Sequence, residues 1–248
     1  TMLLSDLGAE VVKVEDPQVG DYIRLARPFV KGNSVLHMLL NRNKKSISLN
    51  LKSEKGREIF YELCSSYDVI VESFRPGVVS RLGVDFETVR KINPRIIYCS
   101  ITGFGQNTPY SRLPVHDLNI QAMVGVLSLN GSQCEGPGFP ALQSADVGGA
   151  LFAAITILAA LLERRETGLG RYLDISMFEC TLFTMMTHLA NQFGGEKPEK
   201  GRQMITGGEP YYSIYKTLDD EYVALAAIEP QFWRNFCHLI GREDLIEK

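Results

Sequence analysis

Short apolar runs alternate with amphipathic stretches over the first hundred residues, and that alternation leaves few folds open. EVVKVE at 10–15, SISLNL at 46–51, DVIVE at 68–72 and RIIYCSI at 95–101 read as strands. Between them, Ser53 is placed to cap a helix over 54–65 with Ile59, Phe60 and Leu63 on one face. A short helix near 79–82 follows the turn SFRPG, and Asp85 starts another helix that runs to Lys91. Strands separated by helices in this order predict an α/β fold with a parallel sheet and helices on both faces. In such sheets ligands gather beyond the carboxyl ends of the strands. SFRPG at 73–77 and GFG at 103–105 fall at such ends, and the basic turn NRNKK at 41–45 lies close by in sequence.

Residues 1–8 read as the end of a helix closed by Gly8, and His37 to Leu40 as a short apolar helix. Later come a predicted helix over 150–165, a strand over 171–176 and a helix rich in Met and Phe over 177–193. A polar segment then leads to a hairpin, 211–216 with 222–226, and to a helix from Gln231. The expected organisation is a large domain over 1–195, a linker over 196–209 and the start of a smaller α+β domain over 210–248. Thr1 lies inside an amphipathic pattern and Leu245 inside another, so the chain is expected to be an internal piece of a longer protein.

Composition removes several function classes. A net charge of −3 argues against nucleic acid as the main partner. The five cysteines (Cys64, Cys99, Cys134, Cys180, Cys237) are scattered without CxxC spacing, the pattern of reduced thiols in a cytoplasmic type of compartment. Neither a disulfide framework nor a metal site is expected. Asn130-Gly131-Ser132 matches a glycosylation sequon, but secretion is not expected, so the match is set aside. The apolar run from Ala150 to Leu162 is expected to be too short and Ala-rich to span a membrane.

The chemistry concentrates between Val115 and Ile157. His116-Asp117 opens that stretch, and Asp146 precedes Gly148-Gly149 and the apolar run. Asp146 reads as the N-cap of the following helix, and the two glycines would let a ligand reach the helix's positive end. An imidazole and a carboxylate on separate segments can flank one reacting carbon. Asp117 is expected to orient the imidazole or cap a helix over 118–124. Arg42, Lys44, Lys45, Lys52 and Arg81 form a cationic rim suited to phosphate, although such clusters are commonly only solvated loops. His37, His188 and His238 read as structural, and Glu229 before a proline as a turn residue. No Walker A, HExxH or GxSxG motif is present. The residues alone carry the reading to an α/β enzyme candidate with an acid/base pair and a phosphate-friendly rim.

LLSDLGAEVVKVEDP, NRNKKSISLNLKS, VIVESFRPGV, ITGFGQ, HDLN, ADVGGALFAA and TGLGRYLDISMFE together resemble the class III CoA-transferase (CaiB/BaiF) family, which includes the α-methylacyl-CoA racemases. The resemblance implies a Rossmann-like large domain, a smaller second domain and interlocked homodimers in the full-length protein. It also implies a first strand before Thr1 and a returning segment after Lys248. The substrate would be an acyl-CoA thioester, with no prosthetic group. In the racemase subgroup, the positions of His116 and Asp146 are the two acid/base groups and that of Glu229 supports the histidine. In the transferases, the position of Asp146 is the nucleophile. GGEPYYSIYKT and AIEPQFW look more like the racemases. The resemblance points to Leu49, Lys52, Ser73, Phe74, Arg81 and Leu82 along the CoA path. Asp16 stands where the family often has a phosphate-binding arginine. The amides of Gly148 and Gly149 are expected to stabilise an enolate oxygen. The leading expectation is a 2-methylacyl-CoA racemase, the alternative a CoA-transferase acting through Asp146, and the third an inactive CoA-binding homologue.

Overall fold

The computed structural model describes residues 1–131 and 136–247. The chain opens with helix α1 (Met2–Asp6), strand β1 (Val11–Glu15), the two-residue strands β2 (Phe29–Val30) and β3 (Asn33–Ser34), and helix α2 (Val35–Leu40). Strand β4 (Lys44–Ser48), helix α3 (Glu54–Ser66), strand β5 (Val69–Glu72), helices α4 (Val78–Leu82) and α5 (Phe86–Ile92), and strand β6 (Ile97–Thr102) follow. Next are α6 (Asp117–Val124), α7 (Val126–Leu129), α8 (Ser144–Thr167), β7 (Arg171–Ser176), α9 (Met177–Thr184) and α10 (Met186–Phe193). The hairpin β8 (Tyr212–Lys216) and β9 (Tyr222–Ala226) and helix α11 (Pro230–Leu239) complete the order. Cys134 and Ser132 of the sequon lie outside the described residues.

These elements form two compact units, residues 1–117 with 144–181, and residues 118–143 with 182–247. The expected single cut at 196–209 is therefore replaced by a chain that leaves the first unit at Asp117 and returns at Ser144. The second departure falls inside α9, close to where the helix expected over 177–193 breaks. There Met185 N–H bonds Leu182 C=O three residues back instead of four, which interrupts the helical ladder.

The first unit holds the expected parallel pairing in two sheets. β1 runs parallel to β4, from Val11 opposite Lys44 to Glu15 opposite Ser48. β6 runs parallel to β5 on one side and β7 on the other. A slot of about 500 Å³ lies between residues 11–14 and 69–72, and among the described residues no strand bridges β1 to β5. The period-two alternation of β6 builds a core on each face. Ile97 and Cys99 pack with Ala153, Ile157 and Ala160 of α8, while Ile96 and Tyr98 pack with Cys64 of α3 and Val89 of α5. The four described cysteines are buried and free, and burial pushes the Cys64 and Cys99 thiols up to about 12, which leaves them unreactive.

α8 begins at Ser144, six residues before the expected start, because Ala and Gly at its early positions pack closely instead of breaking it. With 24 residues it is long and apolar enough, by length and composition, to cross a membrane, which corrects the expectation of a run too short to do so. Its small-residue side, including Ala153, Ile157 and Ala160, is buried in the sheet core. Gly170, just before β7, crosses the backbone of 94–96: its N–H bonds Pro94 C=O at 2.8 Å, and a Cβ there would lie 1.9 Å from Ile96 O. Gly170→Ala is therefore expected to destabilise the chain by at least about 3 kcal/mol, roughly 6–12 °C in Tm. Thermal unfolding followed by circular dichroism measures this, and an unchanged Tm would mean that the crossing yields at little cost.

The second unit is held by its own contacts. The Trp233 ring stacks on Phe236 at 5.8 Å, and its indole N–H donates to Leu245 C=O at 3.1 Å. His188 pairs with Gln203 at 3.0 Å and His238 with Glu243 at 3.0 Å, which gives both histidines the structural partners expected of them.

Candidate active site

Asp117, not Asp146, caps α8. One Asp117 carboxylate oxygen accepts from Ala145 N–H at 2.8 Å and from Asp146 N–H at 3.1 Å. Those amides belong to the second and third residues of α8, two of the donors that a helix leaves unpaired at its start. The cap thus comes from 28 residues upstream. Sequence reasoning places the cap on Asp146, which lies inside the helix as its third residue. A carboxylate is also favoured at the positive end of so long a helix.

The cap places the site. Asp117 follows His116, so fastening Asp117 to the first turn of α8 brings the imidazole into the neighbourhood of Asp146. Asp146 occupies an exposed position in that turn. Its carboxyl is nevertheless pushed up from its ordinary value. Partial withdrawal from water is the largest cause, and the negative charge of Asp117 adds to it, while the positive charge of His116 opposes both. The structure therefore joins three of the four predicted catalytic residues. Glu229 belongs to the second unit, as the N-cap residue of α11, and its side chain makes no capping bond there.

The two glycines have a different role from the one expected. Gly148 and Gly149 are the fifth and sixth residues of α8, so their amides sit within the helix's own hydrogen-bond ladder and cannot serve an enolate oxygen. Both are buried. A Cβ on Gly149 would stand 2.9 Å from Met177 Cγ and 3.7 Å from Ile101 Cγ2, and one on Gly148 would be 4.0 Å from Cys180 Cβ. They are contact glycines that let α8 lie close to β6 and α9.

The expected cationic rim divides in two. Arg42 is engaged on both carboxylate oxygens of Asp6 and on Leu39 C=O at 2.9 Å. Lys45 pairs with Glu10 at 3.1 Å and Lys44 bonds Asn41 at 3.0 Å. The basic turn thus fastens β4 to α1 and to the residues before β1. Leu49 and Lys52 follow β4, and Ser73 and Phe74 follow β5, all beyond the carboxyl ends of parallel strands. Arg81 and Leu82 end α4. Arg81 lines a pocket of about 350 Å³ together with Arg75 and Arg112, two arginines that the sequence reading passed over. The signal for Arg112 was present, four residues before His116, but nothing in the sequence relates it to SFRPG. Among the described residues no group of three or more His, Cys, Asp or Glu side chains forms a metal site.

The model of CoA-transferase family III matches residues 1–248. The chain is 38% identical to the succinyl-CoA:glutarate CoA-transferase of Mus musculus over 248 residues, all of this chain and 57% of that protein. It is 37% identical to the alpha-methylacyl-CoA racemase of Homo sapiens over 234 residues, 94% of this chain and 58% of that protein. Among solved structures, a CAIB/BAIF family protein from Brucella suis superposes with a TM-score of 0.86 at 32% identity, covering 100% of this chain and 66% of that one. The chain thus spans less than two thirds of the length of these relatives.

Proposed function

We propose, from the premise that this chain belongs to CoA-transferase family III, that it carries the catalytic centre of an enzyme that inverts the α-carbon of 2-methylacyl-CoA thioesters. Overall identity does not separate the two activities, since a transferase and a racemase match almost equally well. The observation that carries the reading is the Asp117 cap, which gathers His116 and a carboxyl of raised pKa at one helix end.

Inversion needs a base on one face of the α-carbon and an acid on the other, with proton affinities brought toward one another. Asp146 takes the α-proton as the C–H electron pair moves into the thioester, giving an enolate. Protonated His116 returns a proton to the opposite face. The reverse direction exchanges the two roles, and no atom is gained or lost. The raised carboxyl makes Asp146 a better base than an ordinary aspartate. The positive end of α8 favours the enolate's charge. Asp117 acts as the positioning residue. CoA enters as part of the substrate, and the full-length protein works as a homodimer in a cytoplasmic compartment or an organelle matrix, without nucleic-acid or membrane partners.

The second reading is a CoA-transferase, favoured by the exposure of Asp146 to an incoming thioester. Its carboxylate would attack the thioester carbonyl and expel CoA thiolate. CoA would then attack the anhydride to release the first acid and leave an aspartyl-CoA thioester for an acceptor acid. Incubating the full-length protein in deuterated water with a single-enantiomer 2-methylacyl-CoA and no added acid distinguishes them. Deuterium uptake at the α-carbon with loss of optical purity is expected. Transfer of CoA to an added acid without exchange would establish the transferase, and CoA binding without either reaction an inactive homologue.

A further inference from the structure

The loop that bears His116 is fastened at both ends to the stretch from α8 to α9, each time by a carboxylate on backbone N–H groups. At its far end Asp117 accepts from the first amides of α8. At its near end Asp174 of β7 accepts from Gln106 N–H at 2.8 Å. Gly105, just before, adopts the left-handed conformation at φ +79°, and a Cβ there would lie 3.4 Å from Asp174 Oδ2. The loop backbone therefore rests on the carboxylate in a conformation that side chains disfavour. Asp174 stands opposite Ser100 in the pairing of β6 with β7, but the Ser100 hydroxyl donates to Glu72 on the other side. That leaves the Asp174 carboxylate to the loop. Beside it, Gly103 C=O accepts from Phe178 N–H at 2.9 Å, and the buried Phe104 ring packs 5.8 Å from Phe178 and 5.7 Å from Tyr110. Two turns follow, closed by Ser111 N–H on Thr108 C=O at 3.1 Å and by Leu113 N–H on Tyr110 C=O at 2.9 Å. Pro109 and Pro114 fix φ within and after them. Turns and prolines stiffen the segment from Gln106 to His116, so a displacement at Asp174 reaches the imidazole.

We propose that Asp174 is a positioning residue for the α-proton transfer, setting through the 103–116 loop where the His116 imidazole stands relative to Asp146. The inference rests on the acid/base reading of His116 and extends it to a residue outside the pair. The two anchors act at different places: Asp117 fixes the residue next to the imidazole, and Asp174 fixes the point where the loop leaves the sheet. A general acid or base works only within hydrogen-bond reach of the atom it serves. Misplacement of a reacting group by about 1 Å, from a change far from the chemistry, costs on the order of 100-fold in rate. Loss of the Asp174 anchor relaxes the loop without deleting the acid, so its effect falls on the chemical step and not on binding.

The test compares the full-length wild type with Asp174→Ala in two readouts. With a single-enantiomer 2-methylacyl-CoA in deuterated water, kcat for α-deuterium exchange is expected to fall by about 10- to 100-fold, with KM within about 2-fold. Asp174→Asn keeps an oxygen for Gln106 N–H and should recover most of the loss. In the His116→Ala background Asp174→Ala should cost less than about 2-fold, because the group it positions is gone. The second readout needs no turnover: the ring resonances of His116, assigned by their loss in His116→Ala, are expected to shift in Asp174→Ala. Equal loss in both backgrounds marks a general loosening of the fold and overturns the proposal. In an active wild type, unchanged exchange or unshifted His116 resonances in Asp174→Ala overturn it too, and the acid/base reading survives. Should the wild type show no exchange while the resonances still shift, the positioning stands and the racemase reading fails. If Asp174→Ala does not fold, Gly105→Ala lifts the loop from the same carboxylate, and the same outcomes decide.

Discussion

Asp146→Ala in the full-length protein is expected to cut turnover of acyl-CoA thioesters by at least about 1,000-fold, because the same carboxyl is the acid/base of one reading and the nucleophile of the other. Stopped or coupled assays of both reactions measure it. Residual activity within about 10-fold of the parent would remove Asp146 from the chemistry altogether. Asp146→Asn adds a stability readout. Folding raises this carboxyl's proton affinity, so its favourable contribution is complete below the unfolded value and is lost as pH rises through the folded one. Near neutral pH the ionised form therefore costs stability. Asn should be slightly more stable than Asp at pH 7, with the gain shrinking toward pH 4, as urea unfolding at the two pH values would show. The gain is small because Asp146 stays exposed. A less stable Asn variant at pH 7 would show that the neighbouring imidazole outweighs desolvation and Asp117.

His116→Ala is the second large effect. Exchange of the α-hydrogen for deuterium, and racemisation with it, is expected to fall by at least about 100-fold, the usual worth of a positioned general acid or base. Transfer of CoA to a carboxylic acid would fall far less, since the imidazole takes no part in forming or breaking the anhydride. Loss of exchange with binding of CoA retained separates a chemical role from a structural one. Equal exchange in the variant and the parent would overturn the two-base mechanism and leave Asp146 as a nucleophile.

The strands were legible because their signals are local. Arg171–Ser176 and Tyr222–Ala226 appear at their predicted bounds and the other predicted strands shift by one to a few residues at their ends, whereas the two-residue strands at 29–30 and 33–34 were not predicted. The helices over 54–66 and 86–92 were legible for the same reason, since Ser53 and Asp85 accept from the amides three residues on. The misreadings share a different cause. The start of α8 was misplaced because its cap comes from a distant loop. Gly148 and Gly149 resembled a ligand cradle because glycine's freedom looks the same in sequence whether it admits a phosphate or a methionine. Arg42 resembled a phosphate contact because Asp6, which neutralises it, lies 36 residues earlier.

By itself the sequence determined the family, the alternation of elements and the residue types at the reactive centre. Each depends on side-chain identity and on neighbours a few positions apart. Only the tertiary structure decided which of those residues meet. Asp117 was free in sequence to cap its own helix, and the fold instead spends its carboxylate on α8, bringing His116 toward Asp146. Likewise, only the folded chain shows that Arg42 and Lys45 are already matched by carboxylates. The reason is physical: hydrogen bonds and charge pairing act over a few ångströms, and distance along the chain does not measure that separation.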